Sequence, residues 1–306
     1  MRRAGPPGVT DVPPSVPPII RRHFARGLVA AGGLAPGEAT GRVEDAFAAV
    51  PRERHAGPGP WRLIAERGVG GTWRTPNGDP AWLYHDVLIA LDTEAGINIG
   101  APSMWARLFA ALDVRPGERV AQIGAGTGYY TAILAHLVGP GGAVRAWEIE
   151  PHLAERAAAA LRDVPNAGVV AGNGATAPPS GPHDLLVAFA GVTHPVPAWT
   201  EALAEGGRML LPVTGTNGWG AFVLFQRETA DRFALRTLGR CGFYPCAGAR
   251  DEALAARWDL VLTGEATRGL RAVMERGGGK GGGRGGGDVA LPGGWAVRDL
   301  KEADRG

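Results

Sequence analysis

Residues Val120–Glu150 read VAQIGAGTGYYTAILAHLVGPGGAVRAWEIE. An apolar run over Arg119–Ile123 predicts a buried strand, and Tyr129–Val138 predicts a helix closed by Gly139-Pro140. Between them lie Gly124, Gly126 and Gly128, which let a backbone turn sharply and approach a ligand, while the helix start offers unpaired N–H groups. A second strand, Ala143–Ile149, carries Glu148 near its end, 20 residues beyond Gly128. A carboxylate there is placed to accept hydrogen bonds from ribose hydroxyls. Strand, glycine loop, helix, strand and terminal acid together predict a nucleotide-type fold binding an adenosine-containing cofactor.

The spacing narrows the cofactor. A dinucleotide fingerprint counted from Gly124 needs Gly or Ala where Tyr129 stands, and counted from Gly126 needs one where Thr131 stands. A bulky side chain there obstructs close helix-to-strand packing beside a pyrophosphate. S-adenosylmethionine carries no phosphate, so the spacing favours methyl transfer over hydride transfer.

Alternation continues on the C-terminal side. Pro151–Leu161 predicts an alanine-rich helix, Val169–Val170 and Asp184–Ala190 strands, Trp199–Leu203 a helix and Met209–Val213 another strand. Such order implies right-handed crossovers and an open, mostly parallel, doubly wound α/β sheet. Ala221–Gln226 and Phe233–Leu238 follow closely enough for an antiparallel edge hairpin. A helix is predicted near Glu265–Arg276. A small hairpin turning at Pro292-Gly293-Gly294 ends the chain.

On the N-terminal side, Pro102 opens a helix whose Met104, Trp105, Leu108, Phe109 and Leu112 share one wide face. Residues 61–97 are irregular and read as a long excursion over a site. Two short helices precede it, around Ile20–Ala31 and Val43–Val50. The predicted organisation is a proline-rich, disordered segment 1–18, a core domain 19–250 (cap part 19–98, α/β part 99–250) and an extension 251–306 with a flexible linker at 277–287.

Composition supports this division. Gly and Pro make up 74 of 306 residues, about twice the usual share, yet six prolines sit in residues 1–18 and nine glycines in 277–287. The interior is ordinary globular sequence. A net charge of +2 marks neither a nucleic-acid nor an anionic-membrane binder. The longest apolar run, Leu185–Val192, falls far short of the roughly 20 residues that span a bilayer. With no signal-peptide pattern, a soluble, cytoplasmic protein is expected. Cys241 and Cys246 form no disulfide framework and read as packing residues. His136, His152, His183 and His194 show no paired metal spacing, so no metal is expected. Tyr129 and Tyr130 read as residues packed on the sheet, and Lys280 and Arg284 as parts of a linker.

Along 20–246 the chain resembles the protein-L-isoaspartate (D-aspartate) O-methyltransferase family. The resemblance is carried by VEDAFAAVPRERHAGPG (43–59), YHDVLIAL (84–91), NIGAPSM (98–104), the 120–150 stretch, VVAGNG (169–174), HDLLVAFAGVTHPVPAWTEALAEGGRMLLPV (183–213) and GFYPC (242–246). It implies a class I S-adenosylmethionine-dependent fold and carboxyl methylation of a protein or peptide, a protein-repair chemistry. It further implies that Gly124, Ala125, Gly126, Thr127 and Gly128 hold the methionine end of the cofactor, Glu148 the ribose, and Asn173 with Gly174 the adenine side. Asn173 stands where the family has aspartate. Gly100 stands where it has serine, and Ser103, on the first helical turn, becomes the candidate for the acceptor contact together with helix-start N–H groups. Ser103 is read equally as an ordinary helix-start residue, and Tyr84, His85 and Asp86 chiefly as structural. Two alternatives stand beside this reading: a tailoring enzyme for a peptide natural product, and a cofactor-binding protein without turnover.

Overall fold

The computed structural model describes residues 15–65, 71–94, 96–177, 180–262, 268–276 and 289–302. The Gly-rich 277–287 tract and residues 1–14 lie outside them. The chain divides into two compact units, Met1–Arg107 and Leu108–Gly306.

The first unit opens with α1 (Pro18–Ala31) and α2 (Glu38–Ala49), which pack together through Phe24 and Leu28 on one side and Val43 and Phe47 on the other. Pro18 sits at the first helical turn, where its missing N–H costs nothing. Order begins earlier than expected. Val16 is 4% exposed, and its N–H donates to Glu53 Oε1 at 2.9 Å, so the last residues of the proline-rich segment dock.

A short helix α3 (Glu53–Ala56) leads into four strands, β1 (Arg62–Ala65), β2 (Thr72–Arg74), β3 (Val87–Asp92) and β4 (Ile97–Ile99). They form an antiparallel sheet ordered β2-β1-β3-β4. The irregular excursion read from the sequence is therefore a small sheet. Its strands are three to six residues long, too short for a period of two to register, and its core rests on one fully buried cross-strand pair, Leu63 and Ile89. Helix α4 (Pro102–Leu112) follows.

The second unit contains β5 (Arg119–Ile123), α5 (Tyr129–Val138), β6 (Ala143–Glu148), α6 (Pro151–Ala160), β7 (Ala167–Ala171), β8 (His183–Ala188), α7 (Pro197–Glu201) and β9 (Leu203–Thr214). Next come β10 (Trp219–Thr229), β11 (Arg232–Gly242), α8 (Glu252–Val261), β12 (Arg268–Arg276), β13 (Val289–Leu291) and β14 (Trp295–Glu302). All ten strands join one sheet, ordered β13-β14-β12-β11-β10-β9-β8-β5-β6-β7. The β7-β6-β5-β8-β9 half is parallel, as expected, and the rest is antiparallel. The order reverses between β5 and β8, the switch point at which such sheets open a crevice for ligands.

The mixed end is larger than a hairpin, because the C-terminal extension supplies three more strands. One expectation fails there: of the helix read near Glu265–Arg276, residues 268–276 form strand β12, 265–267 lying outside the described residues, and α8 is the helix that precedes it, capped by Asp251 accepting from Leu254 N–H at 2.9 Å. Ala, Met, Glu and Arg favour a helix intrinsically. Pairing with β11 and β14 overrides that preference and buries Leu270, Ala272 and Met274 at a period of two. Both cysteines are buried and unbonded; burial pushes the Cys246 thiol up to about 11 and the Cys241 thiol higher still. No helix among the described residues is long and apolar enough to cross a membrane.

Candidate active site

The chain leaves β5 through a turn that only glycine accommodates. Gly124, Gly126 and Gly128 have φ of +86°, +54° and +81°, a region costly to any residue with a Cβ. Space is tight as well: a Cβ on Gly128 would lie 3.1 Å from Leu161 Cδ1, so the leucine would have to give way. The N–H groups of Gly124 and Ala125 both donate to Trp147 O, at 2.8 and 2.9 Å, and Gly128 N–H donates to Ala125 O at 2.9 Å. Gly128 then caps α5. Thr127 is buried within the turn, and Tyr129 and Tyr130 are buried against the sheet, Tyr130 stacked on Phe189 with centroids 5.5 Å apart.

Glu148 closes this loop from the end of β6. Its Oε2 accepts from Gly126 N–H at 2.6 Å and its Oε1 from Glu150 N–H at 3.0 Å. Burial, with 6% exposure, raises its pKa, and the backbone N–H donors of Glu150 and Gly126 oppose that rise. A carboxylate has about four acceptor sites, and the Ile149 N–H also bears on this one, so acceptor capacity remains beyond the backbone donors. A vicinal diol would fit it.

At the end of β7, Gly174 packs where a Cβ would come within 2.7 Å of Ile123 Cδ1, and its carbonyl accepts from Trp199 Nε1 at 2.8 Å. Asn173 uses both ends of its amide: Oδ1 accepts from Ala175 N–H at 2.9 Å, and Nδ2 donates to Ala247 O at 3.0 Å. An aspartate could not make the second bond. Tethering of the loop after β11 thus gives a physical reason for asparagine at this position. The second unit brings together Gly124, Ala125, Gly126, Thr127, Gly128, Glu148, Asn173 and Gly174.

Ser103 belongs to the first unit. It is 7% exposed, and its N–H donates to Asp86 Oδ1 at 2.9 Å. The helix-start N–H groups expected to meet an acceptor are thereby fewer, since Pro102 has none, that of Ser103 is occupied by a carboxylate and that of Trp105 donates to Ala101 O at 3.3 Å. The Ser103 hydroxyl makes no hydrogen bond among the described residues. Gly100 is also explained: it avoids positive φ, but a Cβ there would lie 2.9 Å from Trp105 Nε1, and Trp105 is 1% exposed. The indole occupies the room a serine side chain needs.

Behind Asp86 lies a network that sequence reading missed. Arg52 is fully buried; its Nη1 donates to Leu83 O at 2.5 Å and to His85 O at 2.9 Å, and its Nη2 to Val87 O at 3.1 Å. Tyr84 OH donates to Glu53 Oε2 at 2.5 Å, and Arg52 stacks 5.4 Å from the Phe24 ring centroid. Arg52 and Glu53 therefore fix the segment Leu83–Val87, which carries Asp86 to the start of α4. Tyr84 OH is thus tied into this network through Glu53 and Arg52 N–H.

Comparison with known proteins assigns the chain. Residues 80–251 match the family model of protein-L-isoaspartate(D-aspartate) O-methyltransferase. The chain is 31% identical over 229 residues to the protein-L-isoaspartate O-methyltransferase of Ignicoccus hospitalis, across 74% of this chain and 96% of that one. The chain belongs to the protein-L-isoaspartate(D-aspartate) O-methyltransferase family. It is an S-adenosylmethionine-dependent carboxyl O-methyltransferase with a class I fold. The homologue from Aeropyrum pernix is 41% identical over 157 residues, covering 50% of this chain and 60% of its own. Among solved structures, a protein-L-isoaspartate O-methyltransferase superposes with a TM-score of 0.62 at 22% identity, over 79% of this chain and 70% of that one. Another, from Plasmodium falciparum in complex with S-adenosyl-L-homocysteine, gives 0.56 at 17% identity, over 74% and 98%. These likenesses show the fold.

Proposed function

We propose that the methyl acceptor is the free carboxylate of an isoaspartyl residue in a protein or peptide, that Gly124–Gly128, Glu148, Asn173 and Gly174 bind S-adenosylmethionine, and that the Ser103 hydroxyl orients the acceptor. The observation that carries the cofactor assignment is Glu148, a carboxylate buried at the end of β6 and hydrogen-bonded to the glycine turn through Gly126 N–H. The acceptor assignment is supported by identity across almost the whole Ignicoccus hospitalis homologue.

Bound S-adenosylmethionine supplies an electrophilic methyl on a sulfonium. A carboxylate is already ionised at neutral pH, so the protein need provide no general base. It must align the reacting atoms at about 3–3.5 Å and limit water. Glu148 would accept from the ribose hydroxyls, the positive-φ glycines present no side chain at the turn, and Asp86 anchors the helix turn that bears Ser103. With its own N–H committed to Asp86, Ser103 would offer an incoming carboxylate its hydroxyl.

The test is transfer of tritiated methyl from S-adenosylmethionine to an isoaspartyl peptide and to its normal-aspartyl twin, read as base-labile methanol, with calorimetry of cofactor binding. Label on the isoaspartyl peptide alone supports the reading. Equal label on both peptides, or cofactor binding without label on either, overturns the acceptor; absence of cofactor binding by folded protein overturns the site.

A further inference from the structure

The two faces of the antiparallel half of the large sheet differ sharply. One face carries Phe233, Leu235, Ala272, Met274, Trp295 and Val297 into the apolar core. Cross-strand partners share a face and alternate residues change it, so the opposite face carries Arg236, Arg271 and Arg298. The register sets Arg236 of β11 directly against Arg271 of β12, and Arg271 against Lys301 of β14; Arg298 stands opposite Val273, two residues along β12. Near β9 this face is bounded by the end of α4, where Arg208 Nε donates to Leu112 O at 2.7 Å and Arg236 Nη2 reaches Ala111 O at 3.4 Å. Farther out, Arg236 and Arg271 are exposed.

Like charges directly opposite one another destabilise a sheet. Neither Arg236 nor Arg271 has a carboxylate partner among the described residues, whereas Arg232, on the same face, is paired with both Glu228 and Glu275. The charge of Arg271, after burial, lowers the pKa of Arg236, a sign that the two guanidinium groups feel one another. The chain thus keeps a repulsive pair where a single acid would relieve it.

We infer that this arginine face of β11, β12 and β14 is a docking surface for an acidic stretch of polypeptide. Guanidinium forks match carboxylates in bidentate geometry, and neighbouring strands set them about 4.8 Å apart. A single-stranded nucleic acid is the poorer match, because such partners need aromatic side chains on which bases stack. Ala234, Val273 and Ala296 also lie on this face, and its acid, Glu275, stands between Arg232 and Ala296 and is held by Arg232. The surface does not depend on the acceptor proposed above.

The experiment uses the full chain and a fluorescently labelled octaglutamate peptide, with binding read by anisotropy at low and at physiological ionic strength. Saturable binding that weakens with salt is expected. The double variant Arg236→Gln, Arg271→Gln should bind about fivefold more weakly or worse, with a melting temperature equal to or above that of the parent. Arg271→Glu sets a carboxylate opposite Arg236, so it should raise the melting temperature while removing peptide binding. Peptide binding that is absent, or unchanged in both variants, overturns the surface. A lower melting temperature in Arg271→Glu overturns the argument from repulsion, and tighter binding of a single-stranded oligonucleotide of equal charge overturns the choice of partner. No methyl transfer enters the assay, so its failure is separable from failure of the acceptor assignment.

Discussion

The proposed function gives roles to residues 120–150 and to residues 83–103, and the two segments are held in opposite ways. In the first, backbone groups shape the site: three glycines at positive φ, two N–H groups on Trp147 O, and Gly126 N–H on Glu148. In the second, distant side chains do it, with Arg52 on the carbonyls of Leu83, His85 and Val87, Glu53 on Tyr84, and Asp86 on Ser103. A site made from backbone conformation constrains which residues stand in it. A site made from tertiary side-chain bonds constrains residues elsewhere.

The largest expected effect follows from that second case. Arg52→Met removes a buried guanidinium and strands three carbonyls, so denaturant unfolding should show a loss of about 3 kcal/mol or more. A loss below about 1 kcal/mol would place the segment's support elsewhere and erase the contrast. Arg52→Lys keeps the charge without the planar fork, so a cost between those of parent and Met sharpens the case for geometry over charge alone.

Next in size is Ser103→Ala. If its hydroxyl faces the acceptor, methyl transfer should fall by about 1.5–3 kcal/mol in activation free energy, roughly ten- to hundredfold in rate, with cofactor affinity nearly unchanged. Unaltered turnover would return Ser103 to a helix-start role. The reverse exchange, Gly100→Ser, is a poor test, because Trp105 fills the space.

Glu148→Gln probes the backbone-built site. It should weaken S-adenosylmethionine binding by about 1–3 kcal/mol, since hydrogen bonds to a charged acceptor become bonds to a neutral one. The pH dependence has a definite sign. The folded-state pKa of Glu148 is raised, so just above the ordinary carboxylate range the folded protein holds a proton that the unfolded chain has released. Stability contributed by this group is present below that window and declines as pH rises through it. Cofactor affinity should rise over the same window as the carboxylate ionises. Glu148→Gln should flatten both slopes, and persistence of either would assign it to another group.

What was legible beforehand follows the same division. Gly124, Gly126 and Gly128 announce themselves because a turn at positive φ leaves few alternatives, and the alternation from β5 to β9 shows because each apolar run is a buried strand. Arg52 announces nothing: its acceptors lie 31 to 35 residues away, and PRER reads equally well as a solvated helix start. The small β1–β4 sheet escaped because its strands are too short to show a period. β12 escaped because local propensity and tertiary pairing point in opposite directions. Val16 escaped because a proline-rich composition says nothing about one buried valine.

Asn173 combines both kinds of site, and its replacement has the smallest expected effect. Asn173→Asp restores the residue usual in the family and keeps the oxygen that accepts from Ala175 N–H, but it loses the donor to Ala247 O. A carboxylate would then face a carbonyl at a half-buried position. The loss of one such bond should cost about 0.5–1.5 kcal/mol of stability, read as a small fall in melting temperature. Cofactor affinity separates two roles. If the residue's oxygen serves the adenine side, the aspartate supplies it equally well, and affinity should hold while stability falls. If Asn173 acts only by tethering the loop after β11, both should fall together, and Asn173→Ala should behave like Asn173→Asp in affinity. A melting temperature unchanged in Asn173→Asp would show that the tether to Ala247 carries no weight, and the preference for asparagine over aspartate would then have no basis in loop anchoring.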